Sequence, residues 1–387
     1  MVAKRTMKFK SFSLLNVSKL AEGLKDVIYL NVGEPDFDTP EHIVMAAEKA
    51  LREGHTHYTT DEGIPALRRA IAEKENKKTK ADISEEQVLV TSGATGALFT
   101  ACMSLIDPGD EVIIQNPSYP GYTRAVTVTG GKPVSISLRE DRDFAIDINE
   151  LNQKVTPKTK VIIVSSPNNP TGTVFERKTL KAIAEIAMDN ELFVISDEVY
   201  EKFVYDNAEF VSITEFPEMQ LRTVLVNSFS KTYAMTGWRI GYAIGPEEII
   251  NHMKKVSCAS NLCVNSIAQY AALAALEGSQ KCVETMVKEY DERRKLVLEN
   301  LNNISDVQFV EPKGAFYVFP NIEEFKITSA RLVKYLVRKA RVLMAPGYPF
   351  FGSNGRSHVR LSYTASLDTL KIAMEKINNA IVELTAM

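Results

Sequence analysis

The middle of the chain alternates short apolar runs with amphipathic stretches, and this alternation limits the folds available to it. Five runs are predicted strands, at residues 87–91, 111–115, 160–165, 192–196 and 223–227. Most are almost continuously apolar, as expected for strands covered on both faces. Amphipathic stretches such as residues 178–188 lie between them. The pattern predicts an α/β fold with a doubly wound, mostly parallel sheet and right-handed crossovers. Residues 238–244 predict a further strand, antiparallel because only a short connection precedes it.

After Gly278 the pattern changes to that of a smaller α+β unit. A long helix is predicted to about Leu301, followed by strands at 315–319, 342–344 and 358–361 and helices at 329–338 and 368–384. The N-terminal segment has too little apolar material to fold alone, so we expect it to pack on this unit. The smaller domain would then be discontinuous, formed by residues 1–45 and 285–387 around a large domain of residues 46–284.

Charge and cysteine content exclude several classes of protein. The 387 residues carry 46 Lys and Arg against 49 Asp and Glu, a net charge of −3, which argues against a nucleic-acid partner. The four cysteines are too few for a disulfide framework. We find neither a secretory signal nor an apolar run of about 18 residues, so no membrane span is expected. These features together predict a cytoplasmic enzyme. The cysteines also lack zinc-type spacing and a close histidine pair, so no metal site is expected.

Four polar clusters follow four of the predicted strands. They occupy residues 91–96, 166–172, 197–200 and 228–231. Ligands of open α/β sheets bind outside the carboxyl ends of the strands, so we expect the clusters to converge on one site.

Each cluster allows a chemical role beside a purely structural one. Gly93 opens a helix whose N–H groups would bind a phosphate, unless Ser92 simply caps that helix. Asn169 offers an amide donor on a turn that Pro170 would also rigidify by itself. Asp197 is a carboxylate in apolar surroundings, which is costly unless it is paired. Lys231, with Arg239 eight positions on, would be a nucleophilic amine of lowered pKa if it is desolvated, and a surface lysine otherwise.

These residues resemble the class I aminotransferases, which are pyridoxal-phosphate enzymes of fold type I. The resemblance covers nearly the whole chain and is closest to the aspartate and aromatic aminotransferase branch. It rests on six ordered motifs: Asn31-Val32-Gly33-Glu34-Pro35-Asp36-Phe37, Asn168-Asn169-Pro170-Thr171-Gly172, Asp197-Glu198-Val199-Tyr200, Ser228-Phe229-Ser230-Lys231-Thr232, Gly237-Trp238-Arg239 and His358-Val359-Arg360-Leu361-Ser362-Tyr363.

The resemblance implies a role for each residue that would face the cofactor ring. Lys231 would hold pyridoxal 5'-phosphate as a Schiff base and later move the substrate's α-proton. Asp197 would keep the ring nitrogen protonated. Asn169 and Tyr200 would hydrogen-bond to the phenolic oxygen, and Tyr119 would stack on the ring.

The resemblance also implies phosphate and substrate contacts. Residues expected at the phosphate are Ala94, Thr95, Ser228, Ser230 and Arg239, together with Tyr58 of a neighbouring subunit, so the active site would require a homodimer. Arg360 would bind the substrate α-carboxylate, with Gly33 and Asn169 beside it. The implied reaction is a ping-pong exchange between an amino acid and a 2-oxo acid, most often 2-oxoglutarate.

The amino donor is left open among aromatic, aspartate and alanine-like amino acids. Some aspartate-specific relatives carry a lysine where Thr95 stands, and its absence counts against aspartate. Arg124 could supply a cation, although a solvated arginine on a helix is the simpler interpretation. In relatives the stretch that corresponds to residues 10–17 often lies over the substrate. Its Phe12, Leu14 and Leu15 would suit a donor with an apolar or aromatic side chain.

Three other functions compete with an aminotransferase. A pyridoxal-phosphate β-lyase would use the same Lys231, Asp197 and Arg360. Ser228 to Lys231 also fits the S-x-x-K motif of penicillin-binding enzymes, but the S-D-N and K-T-G partners are missing. A DNA-binding sensor would need a helix-turn-helix region, and only about thirty residues precede Gly33.

Overall fold

A seven-stranded sheet forms the centre of the larger part of the molecule in the computed structural model, which describes residue 7, residues 17–79 and residues 81–386. The strands of this sheet are β2 (Val88–Thr91), β3 (Glu111–Asn116), β4 (Lys132–Ser137), β5 (Thr159–Ser165), β6 (Phe193–Asp197), β7 (Thr223–Ser228) and β8 (Gly241–Ile244). Their order is β2-β8-β7-β6-β5-β3-β4, and only β8 runs antiparallel to its neighbours. The predicted mostly parallel α/β sheet is therefore confirmed, including the antiparallel strand.

Helices cover both faces of this sheet. They are α1 (Glu41–Arg52), α2 (Pro65–Thr79), α3 (Gly93–Leu105), α4 (Pro120–Thr129), α5 (Ile148–Lys154), α6 (Arg177–Asp189), α7 (Phe229–Thr232), α8 (Glu247–Asn261) and α9 (Ser266–Glu277). Alternate residues of one strand enter different apolar clusters: Ile162 and Val164 join one, and Val161 and Ile163 the other. Burial on both faces explains why the strand sequences are continuously apolar.

In the ranges that the structure describes, the smaller part is built on short strands and three α-helices. The helices are α10 (Lys281–Asn302), α11 (Ser329–Lys339) and α12 (Leu367–Thr385). The strands are β1 (Ile28–Tyr29), β9 (Tyr317–Val318), β10 (Val342–Leu343), β11 (Ala345–Pro346) and β12 (Val359–Ser362). Strand β1 pairs in parallel with β10, so the N-terminal segment does join the C-terminal unit. The domain boundaries after residues 45 and 284 stay a prediction.

Two sequence-based element predictions need correction. No strand was expected at β4, which pairs with β3 at the edge of the large sheet. The single strand expected at residues 342–344 is divided into β10 and β11, which belong to different sheets. None of the helices in the described ranges is both long and apolar enough to cross a membrane.

Candidate active site

One cavity lies at the carboxyl ends of β2, β6 and β7, where the two parts of the molecule meet. Its lining contains every predicted site residue except Tyr58: Gly33, Ala94, Thr95, Tyr119, Asn169, Asp197, Tyr200, Ser228, Ser230, Lys231, Arg239 and Arg360. Tyr58 does not line it and is 83% exposed on the surface. The convergence expected from the strand-end rule is thus present in the structure.

Lys231 extends into the cavity from α7, the short helix that follows β7. Its Nζ donates a hydrogen bond to the carbonyl oxygen of Gly33 at 2.6 Å. Burial lowers the pKa of the Lys231 amine to about 8, Glu34 opposes this, and the positive charges of Arg360 and Arg239 add to it. A larger fraction of this amine is therefore neutral near pH 7 than for a solvated lysine, as a nucleophilic amine requires.

Asp197 ends strand β6 and is buried without a cationic partner in the described residues. Its Oδ2 accepts a hydrogen bond from the Tyr122 hydroxyl at 2.8 Å, and its Oδ1 accepts one from the Val199 N–H at 3.2 Å. Burial raises the pKa of this carboxyl from 3.8 to about 6, although both hydrogen bonds oppose the change. The site therefore has an unmet preference for a positively charged or N–H-bearing ligand group.

The opposite end of the cavity presents donors suited to an anion. Helix α3 begins there at Gly93, and Ser92 makes no side-chain capping hydrogen bond to it. Gly93 has φ +72°, and a Cβ at this position would lie 2.7 Å from Arg239 Nη2, so glycine allows the guanidinium to approach. The Ser228 and Ser230 hydroxyls lie 2.8 Å apart. Uncapped N–H groups, hydroxyls and a guanidinium are the kinds of donor that a phosphate group accepts hydrogen bonds from.

Arg360 lies on β12 and is 1% exposed. Its Nη1 donates to Asn169 Oδ1 at 2.8 Å, and its Nη2 donates to the Asn31 carbonyl at 2.7 Å. Its Nε is buried without a hydrogen-bond partner, and burial lowers the pKa of the guanidinium. A buried cation with an unused N–H is suited to an incoming carboxylate.

Two tyrosines in the lining were missed by the sequence analysis. Tyr122 supports Asp197, and Tyr317 contacts the Tyr200 hydroxyl at 2.8 Å. Neither belongs to a strand-end cluster, and both depend on long-range contacts. Arg124, considered as an extra cation, does not line the cavity. Phe12, Leu14 and Leu15 lie outside the described residues.

A buried ionic cluster lies next to the end of β6 and contains carboxylates close enough together to hold a metal ion. Glu75, Glu198 and Glu201 bring their carboxylates together there. Lys74 pairs with Glu75 and Glu201, and Lys78 pairs with all three. The two ammonium groups occupy the place of a metal ion, so the cluster gives no support to metal binding.

Comparison with known proteins points to a single family. The family model described as aminotransferase class I and II matches residues 25–377. An aspartate aminotransferase of Pyrococcus horikoshii is 43% identical over 98% of this chain and 97% of its own length. Aromatic-amino-acid aminotransferase 2 of Thermococcus litoralis is 40% identical over 94% of each chain. A solved structure of a Thermus thermophilus aspartate aminotransferase double mutant superposes with a TM-score of 0.93 at 37% identity, covering 98% of this chain and 99% of its own.

Proposed function

The chain belongs to the class I and II aminotransferases, and we propose that it moves the amino group of an L-amino acid to 2-oxoglutarate. Enzymes of this class use pyridoxal phosphate. One observation carries the proposal: Lys231, Asp197 and Arg360 face one cavity as an amine of lowered pKa, a carboxylate without a cation and a guanidinium with an unused N–H.

The residues at the ring end of the cavity fit this cofactor. Lys231 would hold it through a Schiff base between its Nζ and the cofactor's aldehyde. The uncompensated Asp197 carboxylate matches a protonated ring nitrogen. Asn169 and Tyr200 would donate hydrogen bonds to the phenolic oxygen, and Tyr119 would cover one ring face.

The residues at the other end fit its phosphate. The N–H groups at the start of α3 are free of side-chain capping, which is the arrangement that helices use to bind phosphate. The phosphate ligands we propose are Ala94, Thr95, Ser228, Ser230 and Arg239.

Three residues would carry the chemistry of the exchange. The bound cofactor supplies an electron sink for the pair released when the donor's α-C–H bond breaks. Lys231 Nζ, once displaced by the donor's amino group, would take up the donor's α-proton. In the second half of the exchange it would deliver a proton to the α-carbon of the acceptor. Asp197 would keep the proton on the ring nitrogen. Arg360 would hold the α-carboxylate, with Gly33 and Asn169 beside it.

The reaction would follow ping-pong kinetics because both substrates need the same carboxylate site. Donor and acceptor each carry one carboxylate next to the reacting carbon, and Arg360, whose Nε is buried without a hydrogen-bond partner, is the guanidinium proposed to bind it. The donor must therefore leave as a 2-oxo acid before the acceptor binds.

Donors without a charged side chain are expected to be the better substrates. The described lining contains three cations, Lys231, Arg239 and Arg360, and each already has a proposed partner. Thr95 offers a hydroxyl instead of a further charge. A panel of amino donors at fixed 2-oxoglutarate should give a higher kcat/KM for aromatic and aliphatic amino acids than for aspartate, and the reverse order would refute this assignment.

We propose a homodimer in which Tyr58 reaches the phosphate of the partner's site. The phenol is 83% exposed and does not enter the cavity of its own chain. An exposed ring of this kind is available to contact a neighbouring chain, as the family resemblance implies for Tyr58. Light scattering on the purified protein should give the mass of two chains, about twice 43.1 kDa.

The central experiment locates the lysine and measures the reaction. Borohydride reduction of the cofactor-loaded protein, followed by peptide mass spectrometry, should label Lys231. Lys231→Ala should abolish the visible absorption band and lower glutamate formation about 10²–10⁴-fold or more, whereas Lys202→Ala, on the surface, should change neither. Labelling of another lysine, normal turnover in Lys231→Ala, or release of ammonia and pyruvate from β-substituted amino acids instead of transamination would contradict the proposal.

A further inference from the structure

Tyr317 lines the cavity and contacts both Arg360 and Tyr200. It lies on β9 directly opposite Ser362 of β12, two residues along that strand from Arg360. The side chain is 2% exposed and lines the cavity. Its position is fixed by the strand pairing, so its contacts are built into the fold.

The side chain contacts three groups that have separate proposed roles. The Arg360 guanidinium carbon lies 4.2 Å from the centre of the Tyr317 ring, within the range of a cation–π contact. The Tyr317 hydroxyl is 2.8 Å from the Tyr200 hydroxyl. It also lies so close to Gly33 that a Cβ there would come within 1.7 Å of it.

Counting protons gives the hydrogen bond a direction. Each phenol has one proton to donate, and burial raises the pKa of both the Tyr200 and the Tyr317 hydroxyl, so both stay protonated. If Tyr200 donates its proton to the phenolic oxygen of the cofactor, its own oxygen must accept the proton of Tyr317. The Tyr317 hydroxyl then polarises the Tyr200 O–H bond and strengthens its donation.

We propose that Tyr317 is a positioning residue that couples α-carboxylate binding at Arg360 to the hydrogen bond from Tyr200 to the cofactor. The inference rests on the proposed function. The cation above the ring makes the Tyr317 O–H a stronger donor. A carboxylate on Arg360 neutralises part of that charge, so Tyr317, and through it Tyr200, becomes a weaker donor. Binding of the substrate's carboxylate at Arg360 would thus weaken the hydrogen bond to the cofactor through the phenol groups of Tyr317 and Tyr200.

The test is a pH titration of the visible absorption band of the loaded enzyme, which reports the proton held next to the phenolic oxygen. A weaker Tyr200 hydrogen bond leaves this oxygen more basic, so the proton is held to higher pH. Tyr317→Phe should raise the titration midpoint by about 0.4 to 1 pH unit, the range for loss of one neutral hydrogen bond. Saturating 3-phenylpropanoate, a carboxylate without an amino group, should raise the wild-type midpoint and raise that of Tyr317→Phe by less.

Three variants separate this role from a structural one. Tyr363→Phe removes another buried hydroxyl of the same part of the fold, outside the cavity, and should leave the midpoint unchanged. In a Tyr200→Phe background, Tyr317→Phe should add almost no further shift. Tyr317→Phe keeps the ring under Arg360, so its affinity for 3-phenylpropanoate should stay within about twofold of wild type, whereas Tyr317→Leu should weaken it about fivefold or more.

Several results would overturn the inference while leaving the proposed function intact. These are an unchanged midpoint in Tyr317→Phe, an equal shift in the Tyr200→Phe background, or a Tyr317→Phe protein that binds no cofactor although Tyr200→Phe does. A wild-type protein that shows no cofactor-dependent band and no transamination would instead refute the proposed function itself.

Discussion

Replacing Asp197 with asparagine should stabilise the cofactor-free protein and at the same time disable the loaded enzyme. The folded carboxyl has a pKa of about 6, against 3.8 when it is solvated. The folded state therefore binds more protons between these two values, and its stability falls as the pH rises through this window. At about 1.4 kcal/mol for each factor of ten in proton affinity, the destabilisation above pH 6 is about 3 kcal/mol.

Asparagine removes this cost because it cannot ionise. Its amide can still accept the Val199 N–H and donate to the Tyr122 hydroxyl, at a loss of about 1 kcal/mol or less. We expect urea unfolding of the cofactor-free protein at pH 7.5 to give a gain of about 2 to 3 kcal/mol, falling to about half at pH 5. In the loaded enzyme the ring nitrogen loses its counter-charge, and kcat/KM should fall about 10²–10⁴-fold.

Asp206 provides a control in which the same substitution should change the stability in the opposite direction. The hydrogen bond from Arg294 lowers the pKa of Asp206 to about 2, so its ionised form stabilises the fold above pH 4. Asp206→Asn should therefore destabilise the protein at pH 7.5. Asp197→Asn could instead destabilise the cofactor-free protein at that pH, or its gain in unfolding free energy could fail to shrink on acidification. Either result would mean that the ionised Asp197 carboxylate does not destabilise the fold, and our account of the site would be wrong.

Three further predictions concern Lys231, Gly33 and Tyr58. The rate at which the cofactor-free protein captures pyridoxal phosphate should rise as the pH passes through about 8, because the proposed nucleophile is the neutral form of the Lys231 amine. Stopped-flow absorbance that shows no change of this rate around pH 8 would contradict the assignment. Gly33→Ala would place a methyl group 1.7 Å from the Tyr317 hydroxyl and should lower the unfolding free energy by about 1–3 kcal/mol, whereas Gly237→Ala faces open space and should not. We expect Tyr58→Ala to be inactive because it would lose a phosphate contact, and Lys231→Ala to be inactive because it would lose the amine. Refolding a 1:1 mixture of the two chains should restore about a quarter of the sites, since only hybrid dimers contain one complete site; no recovery would contradict a shared site.

The central strands and the polar residues at their ends were predictable from sequence because each signal is local. A strand buried on both faces, such as β5, is a continuous apolar run, and the residue that ends it faces the ligand edge of the sheet. Asp197 and Lys231 could be found in this way. The edge strand β4 could not, because Ile136 is its one fully buried residue and Pro133 interrupts the pattern.

The tyrosines of the site could not be found by the same reasoning. Tyr122 reaches Asp197 across 75 positions of sequence, and Tyr317 reaches Tyr200 across 117. Each lies in an apolar surrounding where a buried aromatic residue is the ordinary expectation. Their hydroxyl groups acquire a role only when the fold brings distant strands and loops together.

The hydrogen bond from Arg360 to the Asn31 carbonyl joins positions 329 residues apart. During synthesis, the chain would have all the residues proposed to bind the cofactor from its own subunit once residue 239 has emerged. The place proposed for the substrate's carboxylate needs β12 and the N-terminal segment together. A chain that ends before β12 would therefore contain every residue proposed to bind the cofactor from its own subunit and would still lack the group proposed to recognise the substrate.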